Sequence, residues 1–323
     1  MLPKLSRRVL AVGCCAVLTA CAAVPDPPPP APRPALITGA TATPRTWQLA
    51  PEVKALAANG YEMAYLERGS GTPVVLVHGS LSDYRSWSNQ IDVLAARHKV
   101  IAISLRHHYP ERWDGRSDDF TLAQHADDLA EFIRRLDLGK VHVVGHSRGA
   151  AVVLSMATRH PDLLRSMVLA EPQAIDGLIP VAPDAAQAAQ QRRAAIGAAL
   201  SHYANARVDS GLEHFIEFVG GAGAWKAAAE PQRQVWRDNA RSIQSLIADS
   251  AEPITCGELS QTRVPALLVA AEKSPPIYRV MLDAVRRCLP VNESVTISNA
   301  GHSMHRLNPP AFNAAVLGFM AKH

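Results

Sequence analysis

The pentapeptide Gly145-His146-Ser147-Arg148-Gly149 sets a serine hydroxyl between two glycines. That spacing does chemistry where a strand turns sharply into a helix. The flanks supply both elements. Val141-His142-Val143-Val144 is short and rich in β-branched residues, and Ala150 to Met156 is an apolar run that fits a buried helix. In such a turn a Cβ at either glycine would strike the neighbouring strand or helix, and the serine is held in a strained backbone conformation. Its hydroxyl then stands above the sheet edge at a helix N-terminus, where backbone N–H groups can meet developing negative charge. Ser147 is therefore a candidate nucleophile, weighed against the plainer reading of a glycine-punctuated turn.

The elements that must position this serine alternate along the chain. Val53-Lys54-Ala55-Leu56 and Tyr61 to Leu66 flank Asn59-Gly60, a hairpin-turn signal. Pro73-Val74-Val75-Leu76-Val77 is a continuous apolar run, the mark of a strand buried on both faces, and it leads into His78-Gly79-Ser80. A helix is expected from Asp83 to Arg97, a strand at Val100–Ile103, and a helix from Leu122 to Leu136 capped by Thr121. Later strands are expected at Met167–Ala170, Ala266–Ala270 and Ser294–Ile297. Strands alternating with helices imply an α/β class, with a mostly parallel sheet covered on both faces.

Before residue 47 the chain has a different character. Lys4, Arg7 and Arg8 form a positive n-region ahead of the apolar stretch Val9 to Leu18, which is too short to span a bilayer. Residues 1–20 are expected to be a signal peptide, and Ser6-Arg7-Arg8-Val9-Leu10 weakly resembles a twin-arginine signal. Leu18-Thr19-Ala20-Cys21 resembles the bacterial lipobox, which implies lipidation at Cys21; the alternative is a small-residue cleavage site that contains a cysteine. Ala22 after that cysteine resembles lipoproteins forwarded to an outer membrane, so the expected location is the cell envelope, lipid-anchored and facing the periplasm. Residues 21–46, with the run Val24 to Pro34 dominated by proline, are expected to form an extended tether of roughly 30 Å at about 3.1 Å per residue.

Composition narrows the partners. Of 323 residues 48% are hydrophobic and only 5% aromatic, so a large core rests on Ala, Val and Leu. The formal charge of +4 owes three units to Lys4, Arg7 and Arg8; without them 30 basic residues face 29 acidic ones. No other basic patch stands out, which argues against a nucleic-acid partner. Cys14 and Cys15 leave with the leader, so Cys256 and Cys288 remain, able to form one disulfide in an oxidising compartment or to stay as two buried thiols. Two cysteines alone make a poor metal site, and the isolated pair His107-His108 does not argue for metal either.

Taken as a set, the hairpin, the His78-Gly79 loop, the Gly145–Gly149 elbow, an interrupting segment and a late Gly301-His302 resemble the α/β-hydrolase superfamily, over roughly Val53 to the C-terminus. The resemblance implies an α/β-hydrolase fold at residues 47–323. Its mostly parallel eight-stranded sheet would be flanked by helices, with a helical lid at about 174–262 inserted after the sixth strand. It also implies a nucleophile–base–acid site that needs no cofactor or metal. Asn299-Ala300-Gly301-His302 followed by Asn308-Pro309-Pro310-Ala311-Phe312 resembles the family's late pattern, which makes His302 the base and His305 a supporting neighbour. His78 and His146 match positions that are normally structural.

The acid departs from the common pattern. After the seventh strand stands Ala271-Glu272-Lys273-Ser274, with serine where relatives place Asp, and a serine cannot carry the charge that stabilises an imidazolium. A second position known in the fold, at the end of the sixth strand, holds Glu171. Glu171 is favoured over Glu272 as the acid; its alternative roles are capping a loop or binding substrate. The resemblance further implies an oxyanion hole from the N–H groups of Arg148 and Ser80, with Leu81 as a neighbour of the second, and a surface ion pair for the Arg148 side chain. His107, His108 and Tyr109 stand where the family commonly has Arg-Gly-x-Gly, so they are expected at the site entrance.

Between Glu171 and Val264, helices are expected near Asp184–Leu200, Gly211–Val219 and Pro231–Ala248, with Gly220-Gly221-Ala222-Gly223 as a hinge. Phe215, Phe218, Trp225 and Trp236 are candidates to line an acyl pocket, although at helical spacing such residues also build cores. The expected function is a serine hydrolase acting on a carboxylic ester or related acyl bond of a small molecule. Thioesterase, lactonase, carbon–carbon hydrolase and perhydrolase chemistry share the triad. A non-catalytic, lipid-anchored envelope or binding protein on the same scaffold is the alternative class.

Overall fold

A computed structural model describes residues 47–173, 175–179, 182–244 and 253–323. The expected leader, Cys21 and the 21–46 tether lie outside the described residues, as does the end of the helix expected at Pro231–Ala248.

The apolar runs form strands: β1 Val53–Ala58, β2 Tyr61–Arg68, β3 Pro73–Val77, β4 Lys99–Ile103, β5 Val141–His146, β6 Leu164–Ala170, β7 Ala266–Ala271 and β8 Asn292–Ile297. They make one eight-stranded sheet in the order β1-β2-β4-β3-β5-β6-β7-β8. β2 runs antiparallel to β1 and β4, and the remaining pairs are parallel. Asn59 and Gly60 both take positive φ, 46° and 76°, as the two-residue turn joining β1 to β2 requires. β5 lies centrally, between β3 and β6, and all six of its residues are buried. Burial on both faces explains why it reads as an apolar run rather than an alternation.

The helices that cover the sheet include α1 Ile91–Ala95, α2 Leu122–Arg135 and α3 Arg148–Arg159. Thr121 caps α2 by accepting the Gln124 N–H at 3.1 Å. One cluster of buried side chains packs α2, α3 and the helices between β6 and β7 against one face; a second packs Trp87, α1 and the C-terminal helix Pro309–Met320 against the other. The expected helix from Asp83 to Arg97 is broken. Asp83 caps a single 3-10 turn at Tyr84–Trp87, and α1 starts only at Ile91. The break lets the buried Gln90 side chain donate to the His305 carbonyl at 2.7 Å and to Asn313 at 3.0 Å, a tertiary gain that outweighs local helix propensity.

Between β6 and β7 the chain forms α4 Pro183–Ala204, α5 Val208–Gly220, α6 Ala224–Ala227 and α7 Glu230–Asp238. The glycine run after α5 is a fastened turn: Gly221 and Gly223 take φ of 90° and 82°, and the Glu217 carboxylate accepts the N–H groups of Gly223 and Trp225. Asp83, Arg85, Asp238 and Asn239 tie the end of α7 to the body, with Arg85 donating to Asp83 at 2.7 Å and to Asp238 at 2.8 Å. A disulfide joins Cys256 to Cys288, linking the segment before β7 to the end of the helix Pro276–Cys288.

Candidate active site

Ser147 sits between β5 and α3 with φ 56° and ψ −122°, a conformation costly for any residue with a Cβ. The turn leaves no space at the flanking glycines. A Cβ on Gly145 would lie 2.7 Å from Ala150 Cα, and one on Gly149 would run into the Val77 and His78 carbonyls at the end of β3. The surrounding backbone holds the strain in place. The Ser147 N–H donates to the Ala170 carbonyl at 2.8 Å, and the Ser147 carbonyl accepts from Gln173 at 3.2 Å. The serine is thus fixed to the end of β6, the strand that carries Glu171.

Glu171 is buried and itself has positive φ, 43°. Its Oε1 accepts the Ala271 N–H at 2.8 Å, and its Oε2 accepts the Ser274 hydroxyl and the His302 Nδ1–H, each at 2.8 Å. Three donors compensate the cost of burying this carboxylate. Ser274, the residue that stands where the family resemblance implies an acid, donates its hydroxyl to Glu171. Glu272 is exposed and accepts the Asn299 N–H at 2.7 Å, fastening the loop that carries His302 without meeting the imidazole. Of the two glutamates, the structure brings only Glu171 to His302.

With Nδ1–H directed at Glu171, the Nε2 of His302 is left as the acceptor nitrogen, facing the Gln173 amide at 3.4 Å. Tyr278 stacks on the ring at 4.0 Å between centroids and 20° between planes, and its hydroxyl accepts from Gln173 at 2.6 Å. Burial pushes the Tyr278 phenol up, with Glu171 adding to the effect, so it stays neutral. Gln173 and Tyr278 escaped the sequence reading of the site, and Ser274 was noted there only for the charge it lacks, not for its contact with Glu171. The available signal was the empty acid position at Ser274 itself, with Tyr278 one helical turn beyond it.

Ser147, His302, Gln173 and Ser80 line one narrow cavity of about 40 Å³, together with His146 and His305. Both of these histidines are held well below their ordinary range by burial and by neighbouring positive charge. The His146 Nε2–H donates to the His302 carbonyl at 2.8 Å, so it supports the loop. His78 accepts the Leu105 N–H on Nε2 and donates from Nδ1 to the Gly79 carbonyl. Burial pulls it down to about 4, which matches a structural role. The Leu81 N–H is taken by Ser242 Oγ at 2.8 Å. Among the described residues the Ser80 N–H has no such partner, and Ser80 lines the cavity beside Ser147.

Three expectations require correction. The Arg148 side chain is not on the surface: it is 1% exposed, with its guanidinium 2.6 Å from His125 Nδ1 and over the Phe120 ring. His107 and His108 do not line the cavity. Glu111 and Asp119 hold His107 from both ring nitrogens, and His108 is buried against His78 and Phe120. Tyr109 is turned toward Arg85, whose guanidinium lies 3.6 Å from its ring centre, and it lines a separate recess with Trp47. Of the four aromatic candidates in the insertion, Phe215 and Trp236 line the cavity, while Phe218 and Trp225 pack against the core cluster. Among the described residues no group of histidines, cysteines and carboxylates could hold a metal ion, and no helix is long and apolar enough to cross a membrane.

A sequence model described as the alpha/beta hydrolase family matches residues 74–315, so the chain belongs to that family. Among relatives, an uncharacterised protein of Mycobacterium tuberculosis (strain ATCC 25618 / H37Rv) is 31% identical over 123 residues, which cover 37% of this chain and 34% of the relative. The match thus spans about a third of the length of that relative. The (E)-2-((N-methylformamido)methylene)succinate hydrolase of Acinetobacter baylyi is 22% identical over 267 residues, covering 81% of this chain and 95% of that protein. Among solved structures, epoxide hydrolase CorEH without ligand gives a TM-score of 0.69 at 20% identity, covering 84% of this chain and 98% of its own. Carboxylesterase CesB (YbfK) from Bacillus subtilis gives 0.64 at 19%, covering 86% and 94%. These likenesses establish the fold.

Proposed function

We propose that this α/β-hydrolase family member is a serine hydrolase that cleaves a carboxylic ester or related acyl bond through an acyl-enzyme. The observation that carries the reading is the 2.8 Å contact between His302 Nδ1 and Glu171 Oε2, beside a cavity that His302 shares with Ser147. In the first half-reaction His302 Nε2 takes the Ser147 proton as Oγ attacks the carbonyl carbon, and Glu171 stabilises the imidazolium. The N–H groups of Arg148 and Ser80 receive the oxyanion. Collapse of the tetrahedral intermediate returns the proton to the leaving alkoxide. Water, activated by the same nitrogen, then releases the acid and restores Ser147. An epoxide hydrolase lies among the structural neighbours, yet that chemistry and dehalogenation rest on a carboxylate nucleophile, and this elbow carries a serine.

The experiment is labelling of the folded protein with a fluorophosphonate, followed by peptide mass mapping. An adduct on Ser147 that disappears in His302→Ala supports the reading; folded protein with no adduct at Ser147 rejects it. A panel of esters, thioesters and lactones then ranks the acyl bonds. For the chain before residue 47, the proposal is export and lipid anchoring at Cys21, facing the periplasm. Metabolic labelling with a fatty-acid analogue that survives Cys21→Ala would overturn it.

A further inference from the structure

Arg306 stands apart from the other buried cations. Arg106 pairs with Asp128 at 2.7 Å, Arg85 with Asp83 and Asp238, and Arg192 with Asp176. Arg306 is half-buried, and among the described residues its guanidinium has neither an ion pair nor a hydrogen bond; the Trp236 ring lies 6.0 Å away, and the Arg306 charge helps to hold His305 and His146 neutral. Burial without a counter-ion pulls it down to about 10, so it still carries its charge at neutral pH. A guanidinium kept this way is costly unless an anion arrives to share the site.

Its location says where that anion would come from. Arg306 lies one helical turn beyond His302, on the short helix Met304–Leu307. It lines the narrow cavity that holds Ser147, and it also lines a larger chamber of about 440 Å³. The two spaces share Ile216, Val219, Trp236, Ser303 and Arg306, so they adjoin. The chamber wall is mostly apolar, built from the ends of α5 and α7, the glycine turn and α6. Among the described residues Arg306 is the sole arginine or lysine lining either space, and no carboxylate lines them.

We propose that the chamber is a substrate subsite in which Arg306 binds a carboxylate carried by the acyl substrate, so that the enzyme prefers monoanionic esters to neutral ones. This rests on the serine-hydrolase reading of Ser147. A carboxylate matches the planar fork of the guanidinium in two parallel hydrogen bonds. One positive charge in an apolar wall neutralises one negative charge, which favours a carboxylate over a doubly charged phosphate. The apolar wall then takes the hydrocarbon between the carboxylate and the scissile bond.

The test uses the full-length protein and two p-nitrophenyl esters of one chain length, a mono-ester of adipic acid and its methyl-capped neutral analogue. The readout is the ratio of kcat/KM for the anionic ester to that for the neutral one, a selectivity that impaired folding alone would not change. Wild type should favour the anionic ester at least tenfold, a preference that weakens with added salt. Arg306→Gln should bring the ratio near one, Arg306→Lys should keep part of it, and Arg306→Glu should shift preference toward a trimethylammonium ester. A wild-type ratio near one, or a ratio unchanged in Arg306→Gln, overturns the proposal. Calorimetric titration of monomethyl adipate into Ser147→Ala separates the two readings. Binding lost in Ser147→Ala/Arg306→Gln supports the subsite even where no turnover is found, and no difference between the two proteins refutes it.

Discussion

His302 and His107 each lie within hydrogen-bonding distance of carboxylates, and the two regions differ at the second ring nitrogen. In the cavity that His302 shares with Ser147, Glu171 takes Nδ1 of His302 and the other nitrogen meets only the neutral Gln173 amide, at 3.4 Å. Under the loop after β4, Glu111 takes Nδ1 of His107 and Asp119 takes Nε2 at 2.7 Å. One carboxylate orients an imidazole and leaves it able to accept a proton. Two carboxylates fix it as a cation with no lone pair to offer. The contrast teaches that acids placed around a histidine can leave one ring nitrogen clear of carboxylate or engage both, and only the first arrangement suits a base.

The sharpest way to break this comparison is to remove each histidine in turn. His302→Ala should lower kcat by on the order of 10⁴ or more, as loss of a triad member does. His107→Gln should change kcat by less than about threefold, because both nitrogens are spent away from the cavity. Comparable losses in the two variants, measured on one activated ester, would erase the distinction. Next in size is the acid. Glu171→Gln keeps the shape but removes the charge and should cost on the order of 10³ in kcat, against less than about threefold for Glu272→Gln. A collapse only in Glu272→Gln would move the acid back to the end of β7. Ser274→Ala removes one of three donors to Glu171, and a loss of about tenfold in kcat with KM little changed is expected, the scale of a hydrogen bond to a charged group.

These residues also mark how far the sequence could be read. The strands, the hairpin, the elbow and the Thr121 cap were legible because each depends on neighbours a few residues away: an apolar run, a turn pair, a cap. The pairing of Glu171 with His302 could be proposed because the empty position at Ser274 demanded an acid elsewhere. The hydroxyl's own contact was hidden, since 103 residues separate Ser274 from Glu171. The same reason explains the broken helix after Asp83, where Gln90 answers to a carbonyl 215 residues away. It also explains the inward turn of Arg148 toward His125, and the placing of Arg306 in a chamber wall that comes mostly from the insertion. Local pattern identifies the elements; it does not reveal which side chain a distant carbonyl or ring will claim.

The smallest expected effect concerns stability and lies wholly in the His107 region. Burial alone would lower this imidazole, but hydrogen bonds and charge from Asp119 and Glu111 more than offset it and raise it to about 9. The shifts of the acids agree in direction. The hydrogen bond from His107 lowers Asp119, and Glu111 is lowered by His107 in spite of its burial. A histidine raised above its ordinary 6.5 binds its proton more tightly in the folded state. Its contribution is therefore complete below about pH 6.5 and fades as pH rises through about 9. Because the carboxylates are partly open to solvent, that contribution is on the order of 1–2 kcal/mol. Urea unfolding of wild type and His107→Gln at pH 6 should show wild type ahead by this amount, and the gap should close by pH 9.5. His302→Gln compared in the same way bears on the other half of the contrast. A gap for His107→Gln that stays constant from pH 6 to pH 9.5 would mean the imidazole is held there as a neutral packing element, and the two regions would no longer differ in charge.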